Sequence, residues 1–379
     1  MTAQPPAGTV FAIVTGGGTA GHVLPAIAIA EALVAAGHEP GEVHYVGARR
    51  GIERRLLPPT PFPHTFLDVV GLQRHRGARL VTANVTFVPK LMRAVWQARR
   101  LVRAQRPRVV VSVGGYASLA TVLAARLART PVVVVSYDRR PGRASELTAR
   151  FAAAVAVAYP DSPLPGAVVT GAPVRRVVLD VDRGRDRDAA RRRLALPVDR
   201  FVVGVTGGSQ GSAALNEAVG DFVAGHATDT ALAVRHVVGE RFVPTSGASA
   251  RASGDDGVVH QVLGYDDDLA STYAAADVLV GRGGASTVAE VAVTGIPAIL
   301  VPWSAAAEDH QTLNVAWLAD QGGAIALPES RLDTLPAVIE RLRHDPSERA
   351  RLGANAHAAG QLHRGTDLVA LIERVAKSV

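Results

Sequence analysis

VFAIVTGGGTAGHVLPAIAIAEAL, residues 10–33, is the stretch on which the fold turns. Val10–Thr15 is a short β-branched run, the signature of a buried strand. Gly16–Gly21 reads as a tight turn, and the apolar residues beyond it follow helical spacing to about Ala36. Pro25 is expected in the first turn of that helix, where a missing N–H costs nothing, and Gly37 marks its natural stop. Strand, glycine turn, helix is the opening of a βαβ unit with a parallel sheet.

The same plan repeats outward from this stretch. Val43–Val46, Val109–Val113, Val132–Val135, Val155–Ala158 and Val168–Thr170 are expected strands, with a helix across Leu119–Arg129. After Pro173-Val174-Arg175 the polar stretch Asp180–Arg193 interrupts the pattern and marks a domain boundary. A second series then begins with strand Phe201–Thr206, turn Gly207–Gly211 and a helix from about Ala213. Strands near Ala233–Val237, Val278–Val280 and Ile299–Val301 follow, and Thr366–Lys377 closes the chain as a helix with Leu368, Leu371 and Val375 on one side. A chain of 379 residues is too long for one ordinary core and fits two domains. The expected class is α/β, two Rossmann-like domains facing across a cleft, with ligands at the carboxyl ends of both sheets.

Composition narrows the classes of function. There are no cysteines, which excludes disulfides, thiolate metal sites and a cysteine nucleophile. No apolar run reaches the length of a membrane span, and MTAQPPAGTVFAIVTGGG lacks the basic region of a signal peptide. The formal net charge is +7, but its placement says more. Between Asp68 and Asp138 there is no acidic residue, while 12 Arg and Lys occur. A one-signed segment of this kind suits contact with a polyanion, either anionic lipid or nucleic acid; a solvated basic helix face is the plainer alternative.

Three glycine-rich turns carry the chemistry. Gly16–Gly21 matches G-x-G-x-x-G between a strand and a helix, a pattern shared with dinucleotide enzymes. The second strand ends Val46-Gly47-Ala48-Arg49-Arg50, with no acidic residue for a ribose, so only an NADP-type reading would survive. Gly207-Gly208-Ser209-Gln210-Gly211 is a second anion-binding turn, which a single-cofactor dehydrogenase does not need. Arg282-Gly283-Gly284-Ala285-Ser286-Thr287-Val288-Ala289-Glu290 follows a strand. Gly283–Thr287 is expected to turn its N–H groups toward a diphosphate, with Glu290 in the first helical turn accepting from ribose hydroxyls. His22, directly after the first turn, can act as a general base if a helix N-terminus favours its neutral form; capping the turn is the alternative. Asp266-Asp267-Asp268 reads as a loop entering a helix, with Asp267 or Asp268 near the N-cap, and no bound metal is expected.

Six segments then resemble a known family in order and spacing: GGGTAGHVLPAIAIAEAL, SVGGYAS, VTGAPVR, TGGSQGSAALN, AADVLVGRGGASTVAEVAVTGIPAILVPW and DHQTLN. They are similar to the MurG family, and the resemblance covers the chain from about residue 10 to 375. It implies a GT-B fold and an inverting transfer that uses neither metal nor cofactor. GlcNAc would pass from UDP-GlcNAc to the C4 hydroxyl of MurNAc in undecaprenyl-diphospho-MurNAc-pentapeptide, converting lipid I to lipid II for peptidoglycan. Domains would span residues 1–174 for acceptor and membrane and 175–365 for UDP-GlcNAc, with helix 366–379 packing back on the first.

Residue by residue, the resemblance puts Thr19, Ala20 and Gly21 at the sugar and acceptor side. Arg175 and Ser209 would contact the donor, and the backbone near Asp266 would read the uracil. Ala285, Ser286 and Thr287 would hold the diphosphate, Glu290 the ribose and Gln311 the GlcNAc hydroxyls. His22 and Tyr116 would sit near the reacting centre. The chain departs from the family pattern H-E-Q-N at Val135–Arg139, where Asp138 replaces the Asn and becomes a second candidate base. Arg79, Phe87, Lys90, Leu91, Arg93 and Trp96 would meet an anionic membrane, placing the enzyme peripherally on the cytoplasmic face. Rival readings are a related GT-B transferase with another lipid or natural-product acceptor, a UDP-GlcNAc epimerase and an NADP oxidoreductase. No nucleic-acid partner is expected, because the Arg residues lack aromatic stacking positions beside them.

Overall fold

The computed structural model describes residues 10–69, 87–208, 210–243, 251–252, 257–304 and 309–378; at 87, 88, 116, 251 and 252 it describes the backbone alone. The chain divides into two compact units, Met1–Arg176 with Gly365–Val379, and Val177–Arg364.

The first unit runs β1 (Ala12–Thr15), α1 (Ala20–Ala35), β2 (Val43–Ala48), α2 (Glu53–Leu56), β3 (His64–Leu67), α3 (Phe87–Gln105), β4 (Val109–Ser112), α4 (Tyr116–Ala128), β5 (Val132–Ser136), α5 (Arg143–Ala149), β6 (Ala154–Val157) and β7 (Ala167–Val169). Its strands pair in parallel in the order β3-β2-β1-β4-β5-β6-β7. Strands β1, β2, β4 and β5 are buried at every position, which is why β4 and β5 read as valine runs rather than alternations. The chain winds from β1 outward to β3 and returns on the other side of β1 as β4. Winding therefore reverses between β1 and β4, and the loops after these two strands emerge side by side.

The second unit has the same logic. Helix α6 (Arg176–Leu179) is followed by α7 (Arg183–Arg193), β8 (Phe201–Thr206), α8 (Ala213–Gly225), β9 (Leu232–Val237), β10 (Arg251–Ala252), β11 (Val259–Leu263), α9 (Leu269–Ala275), β12 (Val278–Arg282), α10 (Ala285–Thr294), β13 (Ala298–Val301), α11 (His310–Ala319), β14 (Ile325–Ala326), α12 (Leu335–His344) and α13 (Pro346–Gly360). The sheet order is β10-β11-β9-β8-β12-β13-β14, parallel throughout except for β10. Here the reversal lies between β8 and β12, so the turns after those strands are neighbours. Helix α14 (Asp367–Lys377) belongs to the first unit, where it packs on β4, β5, β6 and α1. Leu368, Leu371, Ile372 and Val375 are its buried face, and Glu373 meets His38 at 3.1 Å.

Four local expectations change. Pro25 is the sixth residue of α1, inside the helix rather than in its first turn. The turn after β12 is only Gly283-Gly284, because the helix begins at Ala285; Glu290 then falls in its second turn. The Asp/Arg-rich stretch beside the division continues the helical pattern rather than interrupting it: Asp182 caps α7 by accepting from the N–H groups of Gly184 and Arg185. Arg191 on α7 is fully buried, pairing with Asp277 at 2.8 Å and donating to the carbonyls of Ala275, Val198 and Arg200. Lastly, the division between units falls at Arg176, so Arg175 lies in the first unit rather than the second.

Candidate active site

In the first unit the turns after β1 and β4 touch. A Cβ on Gly115 would fall 2.3 Å from the Gly17 carbonyl, and its φ of 90° is one that glycine tolerates, so only glycine fits this crossing. Side chains from separate elements then pin the first turn. Tyr45 on β2 donates to the Gly16 carbonyl at 2.7 Å, and Ser118 on α4 donates to the carbonyls of Thr15 (2.8 Å) and Gly114 (2.6 Å). Tyr137, at the end of β5, donates to the Gly21 carbonyl. That carbonyl would ordinarily receive the N–H four residues on, but the residue there is Pro25, which has none. The interior proline thus opens an acceptor in α1, and Tyr137 fills it. The tie holds the loop carrying Asp138 against the start of α1.

His22 is the third residue of α1 and is half-buried, with the Cδ2–Nε2 edge of its ring against Gly114. Thr19 is the N-cap by backbone, but its hydroxyl is spent on His22, 3.2 Å from Nδ1. Burial lowers the imidazole pKa below its ordinary value, opposed by the carboxylates of Asp138 and Glu53. The shift is toward the neutral form, with burial as its leading cause rather than the helix N-terminus. Around this histidine Gly18, Thr19 and Gly21 are exposed, whereas Ala20 turns inward at 8 % exposure. Tyr116 opens α4; its side chain lies outside the described residues.

In the second unit the two neighbouring turns are joined by Arg282, the last residue of β12. Its guanidinium donates to Ser212 and Glu329 through Nη2, and to the carbonyls of Val301 and Pro302 through Nη1. Ser212 is the N-cap of α8, accepting from the Leu215 N–H at 3.3 Å. Burial works to raise the Glu329 pKa, but bonds from Ser304 and Arg282 outweigh it and hold the carboxyl below its ordinary value. The ends of β12 and β13 and the start of α8 are therefore one charged network. Ser209 lies outside the described residues.

The other predicted residues fall as follows. Ala285, Ser286 and Thr287 form the first turn of α10, where free N–H groups point outward from the helix N-terminus. The Ser286 hydroxyl is buried with no hydrogen-bond partner among the described residues. Glu290 is buried, and one of its oxygens accepts from Tyr273 at 2.6 Å. Gln311 on α11 accepts from the Trp303 N–H at 2.9 Å, anchoring the loop after β13. The Asp266 carboxylate is committed to Arg235, at 2.9 Å, and to the Thr272 hydroxyl, at 2.6 Å, so its backbone is what remains for a ligand. Asp268 caps α9.

The basic segment resolves by face. On α3, Ala94, Val95, Ala98 and Val102 are buried, and Leu91 packs with them rather than outward. Met92 and Trp96 are 64 % and 57 % exposed, with Arg93 exposed beside them and the Arg100 guanidinium 4.7 Å over the Trp96 ring. Lys90 is partly exposed; Phe87 is described as backbone alone, and Arg79 lies outside the described residues. Among the described residues no helix is long and apolar enough to cross a membrane.

Sequence reasoning missed Glu53, Tyr45, Tyr137, Ser118 and Arg282 as site supports. Each is an ordinary residue in its own segment, and only the sheet order brings it to the turn it holds.

Comparison with known proteins agrees with this architecture. Residues 12–157 match the glycosyltransferase family 28 N-terminal domain, and residues 202–369 match the family 28 C-terminal domain. A protein of Clavibacter sepedonicus is 38% identical, covering 93% of this chain and 92% of its own. One from Cutibacterium acnes is 36% identical, covering 98% of each. Both are named UDP-N-acetylglucosamine--N-acetylmuramyl-(pentapeptide) pyrophosphoryl-undecaprenol N-acetylglucosamine transferase. The crystal structure of Acinetobacter baumannii MurG superposes with a TM-score of 0.66 at 26% identity, over 96% of this chain and 99% of that one. A UDP-N-acetylglucosamine 2-epimerase structure from Listeria monocytogenes, at 13% identity and a TM-score of 0.65, shares the fold alone. The chain has the GT-B fold and belongs to glycosyltransferase family 28, within its MurG group.

Proposed function

We propose that this protein is the transferase that moves GlcNAc from UDP-GlcNAc to the C4 hydroxyl of MurNAc in undecaprenyl-diphospho-MurNAc-pentapeptide, forming lipid II at the cytoplasmic face of the cell membrane. The observation that carries the chemical part is His22. It is a neutral-biased imidazole at the reversal point of the first sheet, with the Asp138 and Glu53 carboxylates acting on it. Relatives that bear this transferase name over more than 90% of both chains support the substrate assignment.

In the proposed reaction the second unit holds the donor. N–H groups at Ala285–Thr287, with the Ser286 hydroxyl, which has no partner among the described residues, and with Ser209, stabilise the charge that builds on UDP as it leaves. Glu290, oriented by Tyr273, accepts from the ribose, the backbone near Asp266 reads the uracil, and Gln311 completes this unit's contacts, with Arg175 of the first unit as the remaining donor contact. The acceptor side is the turn Thr19–Gly21 with Tyr116. Its C4 hydroxyl attacks C1 of GlcNAc from the face opposite UDP, giving its proton to His22 or Asp138. Thr19 Oγ1 lies 3.2 Å from Nδ1, which leaves Nε2 as the ring nitrogen for that proton when Nδ1 carries the hydrogen. The exposed face of α3, Met92 and Trp96 among Arg93, Arg100 and Arg103, seats the protein on anionic lipid.

The departure at Val135–Arg139 is the one feature favouring a different polyprenyl or glycolipid acceptor with the same donor. Transfer from UDP-GlcNAc should therefore be measured with a lipid I analogue against a panel of other lipid-linked acceptors. Preference for the lipid I analogue is the expected result; preference for another acceptor would replace the substrate while leaving the donor reading intact.

A further inference from the structure

We infer that Glu53 is a positioning residue for the acceptor side, a buried carboxylate that clamps the first glycine turn to the end of β2 and charges the surroundings of His22. The inference rests on the functional reading above. Glu53 is 0% exposed although it sits in a four-residue helix between arginines. Its Oε1 accepts from the Gly18 N–H at 2.9 Å and from the Ala48 N–H at 2.9 Å, joining the turn to the neighbouring strand. A backbone N–H bond to a charged acceptor is shorter and stronger than one to a neutral acceptor, so this is no incidental contact.

The packing is arranged for the carboxylate. A Cβ on Gly51 would lie 1.8 Å from Oε2, and one on Gly17 would lie 2.5 Å from Oε1. Oε2 itself is buried with no hydrogen-bond partner among the described residues. A carboxylate kept half-satisfied out of water is costly, and here the Oε1 bonds to the Gly18 and Ala48 N–H groups offset part of that cost. Gly18, whose N–H it holds, adjoins Thr19, the N-cap whose hydroxyl meets the His22 ring.

The charged groups acting on His22 among the described residues are Asp138, from the loop after β5, and Glu53, from α2. Tyr45 and Tyr137 also border the turn, but burial raises both phenols well above their ordinary value, and they remain neutral donors to Gly16 and Gly21. Both carboxylates favour the imidazolium. Removing Glu53's charge therefore makes His22 harder to protonate.

The deciding variant is Glu53→Gln, which keeps an acceptor for both N–H groups and loses the charge. Titration of the His22 imidazole by NMR, assigned with His22→Gln, should show a midpoint about half a pH unit or more below wild type. The acid limb of the kcat profile should move the same way, with the Kd for UDP within about twofold of wild type. Glu53→Ala, which also removes the clamp, should lower kcat about tenfold or more at unchanged UDP affinity. An unmoved His22 midpoint in Glu53→Gln overturns the inference, as does parallel loss of UDP affinity in that variant. The NMR titration needs no acceptor, so failure to transfer GlcNAc would remove the functional reading while leaving this result to stand or fall separately.

Discussion

At the scale of the residue, His22 shows how a side chain obtains a role from its surroundings. The same imidazole on an exposed helix would be half-protonated near pH 6.5; here burial disfavours the cation while Asp138 and Glu53 partly restore it. A base in that balance should contribute to turnover and not to donor binding. His22→Ala is expected to lower kcat by about 10²–10⁴-fold while the Kd for UDP changes less than twofold. Single-turnover kinetics with a separate UDP titration would decide it, and equal losses in both would sink the assignment. His22 was legible as a candidate from its place after G-x-G-x-x-G. Its partners were not, since Glu53 in RRGIERRL looks like any acid on a surface helix. The lack of an acid at the end of β2 seemed complete from the sequence. In the fold Glu53 reaches back to Ala48, yet it faces inward and offers nothing to a ribose.

At the scale of the element, strand and helix cores agree with the periodic reading, and the differences gather at helix starts. The first helical residue is Ala285, so the expected diphosphate turn is mostly helix, a change that leaves its N–H groups free at the helix N-terminus. Pro25 is tolerated inside α1 because a tyrosine 112 positions later supplies the missing donor, a compensation that local rules cannot contain. Helix α3 is the clearest case of faces that only packing sorts. Its apolar residues are nearly evenly spread in sequence, but Leu91, Val95 and Val102 go to the core and Met92 and Trp96 to the outside. Replacing both with glutamate (Met92→Glu, Trp96→Glu) should weaken partition onto vesicles containing anionic lipid by about tenfold or more. UDP affinity should not change. Flotation at wild-type level by this variant would remove α3 as the membrane contact.

At the scale of the whole molecule, buried histidines tie stability to pH. Burial lowers the pKa of His44 to about 4, aided by His64. His363 is lowered to about 4 by burial alone, and His236 to about 3 by burial and His260. In the unfolded chain all three return to about 6.5. Below that value the unfolded state binds more protons, so stability is whole above pH 6.5 and falls as pH drops toward about 4. Each histidine adds a slope of up to about 1.4 kcal/mol per pH unit. The urea midpoint at pH 5 should lie clearly below that at pH 7.5, and His236→Gln should flatten the difference. Equal midpoints at the two pH values would rule the linkage out.

The sequence by itself determined the parallel α/β plan, the two series of strands and the three glycine turns, because period, β-branching and glycine placement act locally. It also determined the family. What only the tertiary structure decided is which distant residues meet at those turns. Strand order places β4 beside β1 and β12 beside β8, and so brings Ser118, Tyr137, Glu53 and Arg282 to loops far from them in the chain. Hydrogen bonds across a sheet carry no mark in the local pattern of either partner.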